Sequence, residues 1–168
     1  MGEELPSLET AQSLIGQKVE FTASDPVGEA AIRLFALSVG DENPYYTDRV
    51  FAQTERYGGL IAPPTMLCDT MYYHDGRVDE EGGTLNRVSL GSGREVRAWN
   101  NYHFVQPLRP ADIITASWSV ENVYEKAGRS GRLVFVVSNV EYSNQHNDLL
   151  ATNEEGMVYQ AATAEDEG

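Results

Sequence analysis

A chain of 168 residues with 41% hydrophobic content is long enough for one domain with its own core, and it contains no run of the roughly 20 apolar residues that a membrane span needs. The formal net charge of -14 argues against nucleic acid as the main partner, because that binding rests on neutralising phosphates with Lys and Arg. Cys68 is the only cysteine, which excludes an internal disulfide and a multi-cysteine zinc cluster, and it reads as a reduced core thiol.

Residues 1–8 lack the basic and apolar regions of a signal peptide, so a cytoplasmic protein is expected. These residues and the acidic stretch 161–168 are expected to fray, leaving residues 9–160 as the folded domain. Asp25 and Pro26 suit an N-cap and first helical position. Behind them Val27, Ala30, Ala31, Leu34, Phe35 and Ser38 follow the helical period, which predicts a helix leading to Gly40 and Asp41. A second, mostly apolar helix is predicted from Pro64 through Leu67, Thr70 and Met71 to a stop near Asp75 and Gly76.

From about Arg97 the period changes to two. Ile114, Ala116, Trp118 and Val120 alternate with polar neighbours, residues 133–142 are rich in valine and aromatics, and a last strand is expected from Leu149 to Tyr159. Turns fall at residues 128–131 and 144–147. Helices followed by consecutive antiparallel strands mean an α+β fold.

Three stretches carry a family resemblance: Gly40-Asp41-Glu42-Asn43-Pro44-Tyr45-Tyr46 behind a helix, Tyr57-Gly58-Gly59-Leu60-Ile61-Ala62-Pro63-Pro64, and the step from Tyr102 through Pro107 to Ala111-Asp112. Together they resemble the MaoC-like (R)-specific enoyl-thioester hydratases and dehydratases, in the N-terminal dehydratase branch that includes substrate-binding subunits. The resemblance implies a hotdog fold, an antiparallel sheet wrapped around one central helix, here the one starting at Pro64. It also implies that Asp41 stands on the catalytic aspartate, while Tyr46 stands where that family has its catalytic histidine. Thr65 falls on the backbone oxyanion donor; Pro63 and Pro64 have no N–H to offer. Ala111 stands where glycine is usual.

A phenol titrates about 3.5 units above an imidazole, so Tyr46 is a far weaker base than the residue it replaces. The segment from Asp41 to Pro44 is then equally readable as a helix cap and turn. His74, His103 and His146 read as structural or exposed, and Asp69 as a polar group on the second helix. Residues 87–132 hold seven basic side chains against four acidic, whereas the rest of the chain holds five against 22. Phosphates of a carrier could dock on Arg94, Arg97, Lys126 and Arg129, with Asn43 and Pro64 also placed at the substrate; ordinary strand-surface charge is the other reading.

The expectation is therefore a subunit of an (R)-3-hydroxyacyl-thioester dehydratase, pairing with a MaoC-like chain that retains both acid-base residues. A self-sufficient homodimer using Asp41 and a non-catalytic acyl-thioester binding module are the alternatives. No metal or redox cofactor is implied; coenzyme A or acyl carrier protein enters as part of the substrate.

Overall fold

The computed structural model describes residues 5–68, 90, 94–129 and 131–160. Five strands form one antiparallel sheet: β1 (Lys18–Thr22), β2 (Arg94–Phe104), β3 (Thr115–Gly128), β4 (Gly131–Ser143) and β5 (Leu149–Gln160), in the spatial order β1-β3-β4-β5-β2. Before and beside the sheet lie α1 (Leu8–Gln12), α2 (Glu29–Ser38), α3 (Pro44–Thr47) and α4 (Arg49–Thr54), followed by a 3-10 turn at Pro64–Cys68. This is the α+β hotdog architecture that the sequence implied. The rest of the second predicted helix, with Asp69, His74 and their neighbours, lies outside the described residues, as does the acidic stretch 161–168.

Alternation builds the sheet's inner face. Val134, Val136, Ser138, Val140 and Tyr142 are buried along β4, as are Ala116, Trp118 and Val120 on β3. A bulge between Val120 and Asn122 then changes the parity, so the next buried residue is Val123. The turns stand where their residue types predict. Between β4 and β5, Asn144 Oδ1 accepts from the N–H groups of His146 and Asp148, both at 3.0 Å, and Asn147 takes a positive φ of 63°.

Two expectations shift. Helix α2 starts at Glu29 rather than beside Pro26, because Val27 is engaged elsewhere: its N–H donates to Asp112 O and its carbonyl accepts from Ala111 N–H, each at 2.8 Å. The buried stripe turns with it. Ile32 and Ala36 are fully buried, while Leu34 is 66% exposed. At the N-terminus, where fraying was expected, Leu5 is buried and Arg132 donates to Pro6 O at 2.7 Å; Ser7 caps α1 by accepting from Thr10 N–H.

Ala111, the residue standing for a usual glycine, has φ 70°. That left-handed conformation suits glycine and costs an alanine about 1–2 kcal/mol. It is held because Asp112 is buried and multiply bonded: Oδ2 accepts from Arg109 N–H at 2.8 Å and Oδ1 from Asn144 Nδ2 at 3.4 Å.

Candidate active site

Asp41 follows α2 directly, its N–H returning to Ala36 O at 2.9 Å. Its carboxylate Oδ1 accepts from Asn43 N–H (3.1 Å), and Asn43 Oδ1 in turn accepts from Tyr45 N–H (3.1 Å), capping α3. Asp48 repeats the device for α4, accepting from Phe51 N–H at 3.0 Å. Each short polar residue thus closes one turn and starts the next helix. The chain is bent so that Tyr46 points inward, 7% exposed, while Asp41 and Asn43 stay half-buried.

Tyr46 lies on the wall of a cavity of about 310 Å³, with Tyr57, Ile61, Leu67, Phe104 and Leu108 among its apolar walls and Arg56 as the one charged side chain in its lining among the described residues. This is the size and polarity of a small-ligand pocket. Two backbone bonds set it: Ile61 N–H donates to Tyr45 O (3.2 Å) and Ala62 N–H to Leu108 O (2.8 Å), joining the Tyr46 loop, the 56–62 segment and the stretch that follows β2. Tyr45 packs edge-on against Phe51 and Tyr57, with both centroid separations 5.2 Å, behind the same wall.

The Tyr46 phenol is pushed above its ordinary value. Burial is the main cause, the Asp41 carboxylate adds to it, the Asn43 side chain partly offsets it, and Tyr57 raises it further. At neutral pH this group is a neutral phenol and no base. Pro64 lines the cavity, and Thr65 follows it, exposed, on the 3-10 turn. Met66 N–H is already bonded to Pro63 O at 2.9 Å; Thr65 N–H has no backbone acceptor among the described residues.

Of the site residues read from the sequence, Tyr46 and Pro64 share the cavity wall and Asp41 and Asn43 stand beside Tyr46, whereas Thr65 is next to Pro64 in the chain and is not in the lining. The four basic candidates stand elsewhere. Arg94 begins β2, ten residues and about 33 Å of strand from Phe104 at the cavity. Lys126 lies over the Tyr124 and Phe135 rings, and Arg129 is in the turn joining β3 to β4. Arg97 pairs with the buried carboxylate of Glu155 at 3.1 Å. Its charge also reaches Cys68, but burial dominates and pushes that thiol up, so the cysteine is a poor nucleophile despite a hydrogen bond with Tyr102. His103 and His146 are exposed. No group of three metal-ligating side chains converges, and no helix is long and apolar enough to cross a membrane, among the described residues.

Sequence reading missed the walls Tyr57, Phe104 and Leu108 and the rim cation Arg56. Tyr57 and Leu108 lay within the family-like stretches, but their facing each other depends on the Ala62–Leu108 bond, which joins segments about 46 positions apart.

Residues 13–153 match the model of the FAS1-like dehydratase domain region. The chain belongs to this MaoC-like hydratase/dehydratase family. A UPF0336 protein of Streptomyces coelicolor is 33% identical over 70% of this chain and 75% of its own length. A probable enoyl-CoA hydratase alpha subunit of Thermomonospora curvata is 28% identical over 76% of this chain and 43% of its own length. Among solved structures, a chain of the ChsH1-ChsH2 complex from Mycobacterium tuberculosis aligns with a TM-score of 0.72 at 19% identity, over 94% of this chain and 91% of that one, a likeness of fold.

Proposed function

We propose that this family member is one subunit of a hydro-lyase interconverting trans-2-enoyl and (R)-3-hydroxyacyl thioesters, supplying the acyl cavity while a second MaoC-like chain supplies the base. The observation that carries this reading is Tyr46: a buried, protonated phenol stands where the family resemblance would put the base. Hydration needs a base to take a proton from water as its oxygen bonds to C3. The C2=C3 electron pair then moves toward the thioester oxygen, and C2 is protonated as the enolate collapses. Here Thr65 N–H would meet the enolate oxygen and the apolar cavity would hold the acyl chain, but Tyr46 cannot accept the proton from water. The similarity to an alpha subunit and to a chain of a two-component complex supports pairing with a different chain. A small phosphorylated carrier such as coenzyme A fits a chain of net charge -14 better than an acidic carrier protein does.

The test is crotonyl-CoA hydration, followed as loss of enoyl absorbance, by the purified chain alone and mixed with a MaoC-like chain of the same genome that retains Asp and His. Activity is expected only in the mixture, and kcat there should change less than about threefold on Asp41→Asn here. Asp41 gives the homodimer reading its one support: Oδ1 holds Asn43 N–H, while Oδ2 has no partner among the described residues and is free to hold water. Activity of the chain alone, abolished by Asp41→Asn, would establish that reading instead. Thioester binding with no turnover in any mixture would leave a binding module.

A further inference from the structure

A second cavity, of about 270 Å³ and open on one side, lies across the 56–62 segment from the first; Glu29, Arg49, Gln53, Gly59 and Arg109 are in its lining. We propose that it is an anion site that takes a phosphate group of the acyl carrier, an inference that rests on the thioester reading above. Arg109 makes no ion pair with any carboxylate among the described residues, and its backbone is fixed on both sides. Its own N–H donates to Asp112 Oδ2 at 2.8 Å, and its carbonyl accepts from Asp112 N–H at 3.2 Å. Arg49 stands on the same lining, bonded to Glu29, which also reaches Arg33 at 3.9 Å.

The glycines complete the site. A Cβ built on Gly58 or Gly59 would meet nothing within 4 Å, so the backbone here is open, and Gly59 N–H has no backbone acceptor among the described residues. Two guanidinium forks, the Gln53 amide and the Gly59 N–H can surround a tetrahedral phosphate from several sides. In the lining, among the described residues, Glu29 is the one carboxylate against Arg49 and Arg109, which leaves the lining net positive on a chain of net charge -14. Tyr57 and Ile61 face the first cavity while Gly58, Gly59 and Leu60 face the second. A ligand with an apolar acyl end and a phosphate further along can therefore pass over the two glycines, where no side chain stands. Glu29 competes with the incoming phosphate for Arg49, and this makes the proposal testable in both directions.

Calorimetric titration of CoA, inorganic pyrophosphate and the phosphate-free crotonyl-N-acetylcysteamine thioester into the full chain decides it. Arg109→Gln is expected to weaken CoA and pyrophosphate about ten- to a hundredfold, the usual worth of a charge-assisted contact. Glu29→Gln should tighten both severalfold, a gain that a folding defect cannot produce, and neither variant should change binding of the phosphate-free thioester. Unchanged CoA affinity in Arg109→Gln, or no gain in Glu29→Gln, overturns the site. If both shifts appear but no partner supports hydration, the anion site stands and the hydro-lyase reading falls. Hydration with CoA affinity indifferent to both variants means the reverse.

Discussion

The tyrosine at position 46, where the family resemblance implies a histidine, bears on the chemistry of the loop more than on its shape. The hydrogen bonds that bend the chain come from Asp41 and Asn43 to backbone N–H groups, and the aromatic ring fills the cavity wall. What is lost is basicity, since burial and the Asp41 carboxylate both hold the phenol in its neutral form. Because the folded pKa lies above the unfolded value of about 10, the unfolded chain releases this proton first. The contribution to stability is fully present below pH 10 and is lost as pH rises through the folded value. Thermal melts between pH 9 and 11 should therefore fall less steeply in Tyr46→Phe than in the wild type; identical slopes would show that position 46 ionises as freely folded as unfolded. The identity of Tyr46 was legible in the motif. Its protonation state was not, because it depends on neighbours such as Tyr57 that only folding brings up.

At the scale of elements, period-two alternation located β3, and a run rich in valine and aromatic residues located β4, since buried and exposed faces and strand-forming side chains leave those signatures directly. Alternation could not show the bulge after Val120, where one extra residue changes which face is buried without any break in composition. Nor could helical periodicity place α2, whose start depends on the bridge between Val27 and residues 111–112. The outer face of the sheet has a stack of its own. Trp99 on β2 lies opposite Gly156 on β5 and reaches Phe135 on β4 (centroids 6.3 Å apart), which stacks on Tyr124 of β3 (4.8 Å, 5° between planes). Trp99 Nε1 donates to Glu154 Oε1 at 3.1 Å. A Cβ on Gly156 would sit 2.3 Å from the indole, so the glycine is what lets the ring lie flat. Gly156→Ala should cost about 1–3 kcal/mol as the indole is displaced, seen as a lower denaturant midpoint with a changed tryptophan emission. An unchanged midpoint and spectrum would mean the ring moves aside without loss.

Over the whole molecule, 26 acidic residues face 12 basic ones, and ion pairs such as Arg97–Glu155 and Arg132–Glu125 use only part of either set. Self-repulsion across such a surface is screened over about 10 Å at 0.1 M salt. The melting temperature should therefore rise by several degrees between 0.02 and 0.5 M NaCl at pH 7.5, and a flat or falling curve would show that local pairing outweighs the net charge. By itself the sequence determined the α+β class, the helix before Gly40 with the later antiparallel strands, and the family, because each is written in local composition, period or a contiguous motif. Only the tertiary structure decided that Arg94, Lys126 and Arg129 stand away from the cavity while Arg56 and Arg109 flank it. Charge counted along a chain cannot say which end of a strand faces a site; that follows from sheet register and from backbone bonds between distant segments.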